Sequence, residues 1–195
     1  MMDMEKAKYR QHSEVYRYYL NTILLQGFIC KCVPNIPFPQ NYVNVLSDYL
    51  FATERWDIYE LILIGNLYLF IDIPLLDKMG REIIKRRHFY EEIAAHKHLV
   101  TMTLLNIWET CLHRKALQIA TFYQAEAATL IENETKLYEK TIYLFLSGLQ
   151  TYLEGSIVDG IETMRRAIQI FDWLGSDNLA KNYQHDLEKF VNLQI

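Results

Sequence analysis

The chain has 195 residues, of which 51% are hydrophobic and 23% charged, and its formal net charge is −4. A freestanding nucleic-acid-binding domain is usually basic, so this balance argues against direct binding to a phosphate backbone. Glycine (7) and proline (4) are scarce and no stretch alternates apolar with polar residues, which predicts an all-α fold without a sheet. At this length we expect a single α-helical domain spanning 1–195.

Apolar periodicity predicts the helices in chain order. They run over 4–29, 39–52, 56–71, 74–92, 96–113, 115–133, 136–153, 157–174 and 177–193. The proline-rich segment 33–39 is the longest predicted loop, and Pro74 is expected to begin a helix. Gly155-Ser156 and Gly175-Ser176 are predicted to end one helix and cap the next. Because the connections are short, sequential helices should pair antiparallel.

A period of forty residues relates the central helices. Gly80, Ala120 and Gly160 are spaced by forty, each early in the second helix of a predicted pair. Small residues at that place let two helices cross closely. The period predicts a tetratricopeptide-like right-handed superhelix of antiparallel helix pairs, with helix 177–193 as a C-terminal capping helix. An irregular helical bundle is the alternative.

Cysteine use and the first residues predict a cytoplasmic protein. Three cysteines, two of them Cys30 and Cys32, do not suggest a disulfide framework, which fits a reducing compartment. The first fifteen residues are polar, so no signal peptide is recognisable. The longest apolar run, 61–71, is too short to span a bilayer, and no contact with a membrane is expected.

No pattern in the sequence indicates an enzyme or a metal centre. The Cys30–Cys32 step lacks the second pair that a zinc site needs, and His96 and His98 are two apart on a predicted helix, so they point apart. No nucleophile or nucleotide-binding motif is found. The basic run 85–88 is better explained by its position near a helix C-terminus than by DNA binding. We therefore expect no catalytic residues, no metal and no cofactor.

Two asparagines suggest a binding role. Asn66 and Asn106 are forty residues apart, each inside an apolar run on a first helix. A buried amide needs hydrogen-bonding partners, and two amides one repeat apart could clamp the main chain of an extended peptide. The alternative is that each amide bonds a neighbouring helix or a buried water. The residues alone leave both readings open.

The aligned positions on the first helices are candidates for the inner wall of the superhelix. They are mostly apolar, so a ligand that contacts them should be hydrophobic, although some must belong to the core. The candidates are Ile62, Gly65, Leu69, Met102, Leu105, Glu109, Ile142, Phe145, Leu149 and Tyr152.

The last predicted helix carries an apolar stripe that predicts a homodimer interface. The stripe and its neighbours are Leu179, Ala180, Tyr183, Leu187 and Phe190, and Leu193 and Ile195 follow near the C-terminus.

Three segments of the sequence carry a resemblance to a known family. They are 56-WDIYELILIGNLYLF-70, 137-LYEKTIYLFLSGLQTYLEG-155 and 161-IETMRRAIQIFDWLGSDNLAKNYQHDLEKF-190. In content, order and spacing they resemble the C-terminal part of the Rgg/GadR/MutR family of transcriptional regulators of Gram-positive bacteria. The resemblance covers the chain from about Tyr42 to Phe190.

The resemblance implies a function that the periodicity does not. Family members join a DNA-binding helix-turn-helix to a helical repeat domain that dimerises and, in several members, binds a short hydrophobic secreted peptide. By resemblance, Asn66 and Asn106 are positions that contact the peptide backbone. Leu69 stands where some relatives have a basic residue, so a peptide that needs that charge should not fit.

We therefore expect the ligand-sensing and dimerisation domain of a peptide-pheromone-responsive regulator. The helix-turn-helix is expected to be absent from this chain, so that DNA is contacted only through a domain elsewhere. A structural interaction scaffold without a peptide ligand is the alternative.

Overall fold

A computed structural model describes residues 1–13, 15–33, 35–89, 93–132 and 136–192. Every regular element within these ranges is helical, which confirms the all-α prediction. The helices are α1 (Met2–Gln11), α2 (Arg17–Cys32), α3 (Gln40–Ala52), α4 (Ile58–Leu67), α5 (Ile73–Lys85), α6 (Ala94–His113), α7 (Leu117–Ile131), α8 (Leu137–Leu153), α9 (Ile157–Trp173) and α10 (Asp177–Asn192). Two 3₁₀ turns follow α4 and α5, at Tyr68–Phe70 and Arg87–Phe89.

The prediction of one long N-terminal helix over 4–29 is wrong, because α1 and α2 are separate helices. The segment between them contains neither glycine nor proline, so local sequence gives little sign of the break. α1 folds back onto α2, where the rings of Tyr9 and Tyr19 stack with centroids 5.2 Å apart. Asn21 Nδ2 donates to Glu5 Oε2 at 2.9 Å. These contacts between two helices outweigh the preference for a continuous one.

The other helix boundaries follow local chemistry. At the start of α4, the backbone N–H of Asp57 donates to the Glu60 carboxylate at 2.7 Å. At the start of α5, Asp72 Oδ1 accepts from the backbone N–H of Leu75 at 2.9 Å and Pro74 lies in the first turn, as predicted. Gly155 and Gly175, with φ of 106° and 67°, follow α8 and α9 in the left-handed region that glycine favours.

Two of the predicted helices are shorter in the structure. The helix predicted over 56–71 is α4 followed by a 3₁₀ turn, and the helix predicted over 74–92 becomes α5 and a second 3₁₀ turn. Positions 92, 133 and 193, where three predicted helices end, lie outside the described residues.

Alternate helices form a continuous layer. α2 packs on α4, α4 on α6 and α6 on α8. Beside this layer, α5 packs against α6, α7 against α6 and α8, and α9 against α8 and α10. Buried apolar side chains from Leu20 to Leu187 form one connected core. This arrangement agrees with stacked helix pairs, whereas the handedness of the stack stays a prediction.

Helices α8 and α9 cross closely, with the backbone of one near the backbone of the other. A Cβ added to Gly148 would lie 2.7 Å from the backbone nitrogen of Met164, and one added to Gly160 would lie 2.6 Å from that of Tyr152. Only residues without a side chain allow this approach, which explains why the small-residue track includes Gly160.

Polar contacts one repeat apart join α6 to α8. Trp108 Nε1 donates to Gln150 Oε1 at 2.7 Å in the core, and His98 Nδ1 lies 2.6 Å from Glu139 Oε1. Glu139 is almost fully buried, with Lys136 Nζ at 3.7 Å. These contacts fix the register of the two helices, and so of the surface that α6 presents.

Candidate functional site

Neighbouring helices cover α6 on all sides but one. Between Val100 and Leu112, every side chain is buried except Met102, Asn106 and Glu109, and His113 is exposed at the helix end. Their spacing of four, three and four residues puts them on one face of the helix. We call these four residues the α6 strip.

A similar strip runs along α4 and the 3₁₀ turn after it. Ile62 and Asn66 are partly buried and Leu69 is 45% exposed. We call these three residues the α4 strip. Because α4 packs directly on α6, the two strips border the same seam.

Asn66 and Asn106 both border this seam. Asn106 Nδ2 makes a long contact of 3.4 Å with the carbonyl oxygen of Gly65, the residue before Asn66. Asn66 Nδ2 donates to the carbonyl of Ile62, in its own helix, at 2.8 Å. Neither Oδ1 atom accepts a hydrogen bond from the described residues. Each amide therefore keeps its acceptor and one N–H for another partner.

The other candidates on α4 and α6 are accessible to different degrees. Ile62 borders a cavity of about 310 Å³ whose lining includes Arg17, Tyr59 and His96. The carbonyl of Leu69 accepts a hydrogen bond from Arg114 Nη2 at 2.7 Å. Met102 is partly buried against the core.

Five predicted lining residues lie in the core instead. They are between 0% and 5% exposed and are Leu105, Ile142, Phe145, Leu149 and Tyr152. In this conformation protein atoms cover these side chains, which counts against direct contact with a ligand. Their helical stripe was recognised correctly, but the stripe faces other helices.

Helix α10 packs near α8, the helix to which four of these residues belong. The Tyr183 ring lies 4.7 Å from that of Phe145 and stacks on Phe171 at 5.2 Å, both between centroids. Tyr152 Oη donates to the carbonyl of Phe190 at 3.2 Å. The α8–α10 end of the layer is therefore filled by side chains of the chain itself.

The residues predicted to form a dimer interface take part in this packing. Leu187 is 3% exposed, and Leu179, Tyr183 and Phe190 are partly buried against the core. The stripe on α10 thus supplies intramolecular contacts and leaves little free apolar surface. The homodimer itself stays a prediction.

Glu109 lies where four elements converge. His113 Nε2 is 3.9 Å from Glu109 Oε1, and the Glu109 side chain is 28% exposed. Burial, and then the charge of Glu109, raise the pKa values of Tyr68, Tyr138 and Tyr183. These tyrosines come from the 3₁₀ turn, α8 and α10. Burial and this carboxylate thus disfavour the ionised form of each of the three hydroxyl groups.

The sequence held one sign of this cluster. Glu109 is the charged member of a repeat track whose other members are Leu69 and Leu149. The three tyrosines follow no common period and were missed.

Within the part of the chain that the structure describes, none of the helices has both the length and the apolar character needed to cross a bilayer.

The fold and the seam define an all-α domain of packed helices that presents side-chain amides on one partly open face. A sequence profile of the family described as "HTH-type transcriptional regulator Rgg, C-terminal domain" matches residues 2–185. The chain therefore belongs to the Rgg family and corresponds to the family's C-terminal domain. Rgg proteins are transcriptional regulators and not enzymes.

Solved structures agree with this assignment. The SHP pheromone receptor Rgg2 of Streptococcus dysgalactiae is 28% identical with a TM-score of 0.79, over 94% of this chain and 68% of the receptor. A cysteine-to-serine variant of that receptor is 25% identical to this chain with a TM-score of 0.81. The match covers 96% of this chain and 68% of the variant. A protein of Listeria monocytogenes EGD-e described as a transcriptional regulator is 16% identical with a TM-score of 0.79. The match covers 99% of this chain and 69% of the Listeria protein, and it supports the fold alone.

Proposed function

We propose that this domain is the peptide-sensing part of an Rgg-type transcription regulator. A short hydrophobic signalling peptide would bind in extended form along the α4 and α6 strips. The observation that carries the proposal is the pair of neighbouring amides, Asn66 and Asn106, whose Oδ1 atoms accept nothing from the described residues. Both lie on faces that adjacent helices leave uncovered.

The chemistry of the two amides suits a peptide main chain. An extended peptide presents alternating N–H and C=O groups, and each amide has one acceptor and one remaining N–H to offer. Such main-chain contacts do not depend on the side chains of the peptide. Ile62, Leu69 and Met102 supply apolar contact beside them. Preference for a hydrophobic peptide would come from these three side chains.

The comparison with a known receptor supports the same reading. Rgg2 of S. dysgalactiae, 28% identical to this chain, is a pheromone receptor. In a regulator of this type, a ligand alters DNA binding only if it prefers one of two conformations of the domain. DNA would be contacted by a helix-turn-helix domain.

One observation favours the alternative, a structural scaffold without a peptide ligand. The α8–α10 end is filled from within, and Leu105, Phe145, Leu149 and Tyr152 are buried. If the remaining seam is too short to hold a peptide, the domain would serve protein–protein contacts alone.

The test uses a pool of amidated octapeptides composed of Leu, Ile, Val, Phe and Gly. Retained peptides are identified by mass spectrometry after incubation with the immobilised domain, and their affinities are measured by calorimetry. The double substitution Asn66→Ala, Asn106→Ala removes two hydrogen-bonding side chains. We expect it to weaken binding by about tenfold or more, since each net hydrogen bond contributes about 1 kcal/mol.

The matched control is Asn44→Ala, which removes an exposed asparagine on α3 and should leave affinity unchanged. Equal affinities of wild type and the double variant would reject the amide clamp. Retention of no peptide at all would favour the scaffold.

We also propose that the domain forms a homodimer. Trp173 and Leu174, just before α10, are 77% and 55% exposed, and large exposed apolar side chains are common at protein contacts. Sedimentation at micromolar concentration should show a dimer, and a monomer alone would contradict the proposal.

A further inference from the structure

Glu109 is a carboxylate on a strip that otherwise carries a thioether, an amide and an imidazole. Its side chain is 28% exposed, and its polar contact within the described ranges is His113 Nε2 at 3.9 Å, beyond hydrogen-bond distance. A carboxylate offers about four lone-pair positions, and a partly desolvated one is stable only if they are satisfied. Water or a ligand must therefore supply partners for Glu109.

Among the described residues, Glu109 forms no ion pair with a lysine or an arginine. Burial and the charge of Glu109 raise the pKa values of Tyr68, Tyr138 and Tyr183, whose hydroxyl groups are neutral at pH 7 even at their ordinary pKa. Two cationic side chains contact Tyr68 and Leu69 instead of Glu109. Lys31 Nζ lies 5.1 Å from the ring centroid of Tyr68, and Arg114 donates to the carbonyls of Leu69 and Ile71.

Glu109 also lies close enough to Asn106 for one peptide to contact both residues. It lies three residues after Asn106 on the same strip, so their Cβ atoms are about 5–6 Å apart. An extended chain advances about 3.3 Å per residue, so a peptide held at Asn106 would pass Glu109 within about two residues. A group on the peptide can thus reach the carboxylate without leaving the seam.

We propose that Glu109 binds a cationic group of the peptide, an ammonium or a guanidinium, one or two residues from the main-chain contact at Asn106. This inference rests on the proposed function and adds a charge requirement to a ligand otherwise recognised as apolar. The cation would come from a lysine or arginine side chain or from the free N-terminus of the peptide. The tyrosine hydroxyls would accept the N–H groups that Glu109 does not.

The rival explanation is local. Glu109 and His113 are four residues apart on α6, a spacing at which opposite charges on a helix surface commonly pair. If that pair is the whole role of Glu109, a cation on the peptide would give no advantage.

The experiment uses the octapeptide pool with one position occupied by lysine, norleucine or glutamate, prepared with acetylated and with free N-termini. Each pool is incubated with immobilised wild type, Glu109→Gln and, as a matched control, Glu162→Gln. Glu162 is an exposed carboxylate on α9 whose contact is with Arg166. Circular dichroism melting of the three proteins checks that each is folded.

For wild type we expect lysine peptides to be retained about tenfold more than norleucine peptides, as a charge-assisted hydrogen bond allows. Glu109→Gln should reduce that ratio to about one, and Glu162→Gln should leave it unchanged. A preference for free over acetylated N-termini, with no lysine preference, would identify the terminal ammonium as the cation.

Three failures can be told apart. If uncharged peptides are retained but neither lysine nor a free N-terminus adds to retention, the charge requirement is overturned and peptide binding survives. If the ratio is the same in Glu109→Gln as in wild type, Glu109 is not the subsite. Retention of no pool would overturn both proposals.

Discussion

The α4–α6 seam and the α8–α10 end are built from the same forty-residue repeat, yet one stays partly open and the other is filled. On the amide track, Asn66 and Asn106 keep free acceptors, whereas the third position, Leu146, is 1% exposed. On the next track, Glu109 is partly exposed and Leu149 is buried. Equivalent repeat positions therefore have different environments.

The cause of the difference is the last helix. α10 brings Tyr183 against Phe145 and Phe171, and Tyr152 binds the carbonyl of Phe190. A stack of helix pairs must cover the apolar face of its last pair, and α10 does so with its own stripe. The comparison teaches that equivalent helix faces in a repeat stay exposed only where no further helix packs on them.

The largest expected effect tests the close packing of α8 against α9 at the filled end. Gly148→Ala would bring a Cβ within 2.7 Å and 2.8 Å of backbone atoms of Met164 and Gly160, which side-chain rotation cannot relieve. We expect a loss of about 3 kcal/mol in the free energy of unfolding, measured by urea denaturation followed by circular dichroism.

The matched control is Gly65→Ala in the open seam. There a Cβ would lie 2.9 Å from Thr103 Oγ1, a group that can rotate. Alanine also favours a helix over glycine by about 1 kcal/mol, so the net change should stay within about 1 kcal/mol. Equal losses for the two variants would contradict the expected difference in packing between the filled end and the seam.

An intermediate effect is expected where the two regions are joined. Trp108→Phe keeps most of the ring but removes the 2.7 Å hydrogen bond to Gln150, leaving a buried acceptor with a lost partner. The free energy of unfolding should fall by about 1–3 kcal/mol. Asn44→Ser, at an exposed site on α3, serves as control and should change it by less than about 0.5 kcal/mol. Equal stability of Trp108→Phe and wild type would contradict the assigned role of Trp108.

The smallest effect concerns the attachment of α10. Tyr152→Phe removes the 3.2 Å hydrogen bond to the Phe190 carbonyl and should cost about 1 kcal/mol. Amide hydrogen exchange should accelerate in the last turns of α10 and remain unchanged in α4 and α6. Tyr143→Phe, whose hydroxyl makes no hydrogen bond to described residues, is the control. Uniform acceleration along the chain would mean that α10 is not a separately attached element.

Local sequence was sufficient for several features of the fold and of the candidate site. Pro74, Gly155 and Gly175 mark helix boundaries because their backbone preferences act within a few residues. The forty-residue period brought Asn66 and Asn106 to one seam because repeats that stack in order align equivalent positions.

Tertiary structure alone decided which faces stayed open. Periodicity identifies residues that share a face of one helix, but burial of that face depends on helices distant in the sequence. Phe145 is therefore buried beneath Tyr183, α1 folds back on α2, and Glu109 raises the pKa values of tyrosines from three other elements. Each outcome depends on contacts between separate helices, and no pattern within a single helix encodes such contacts.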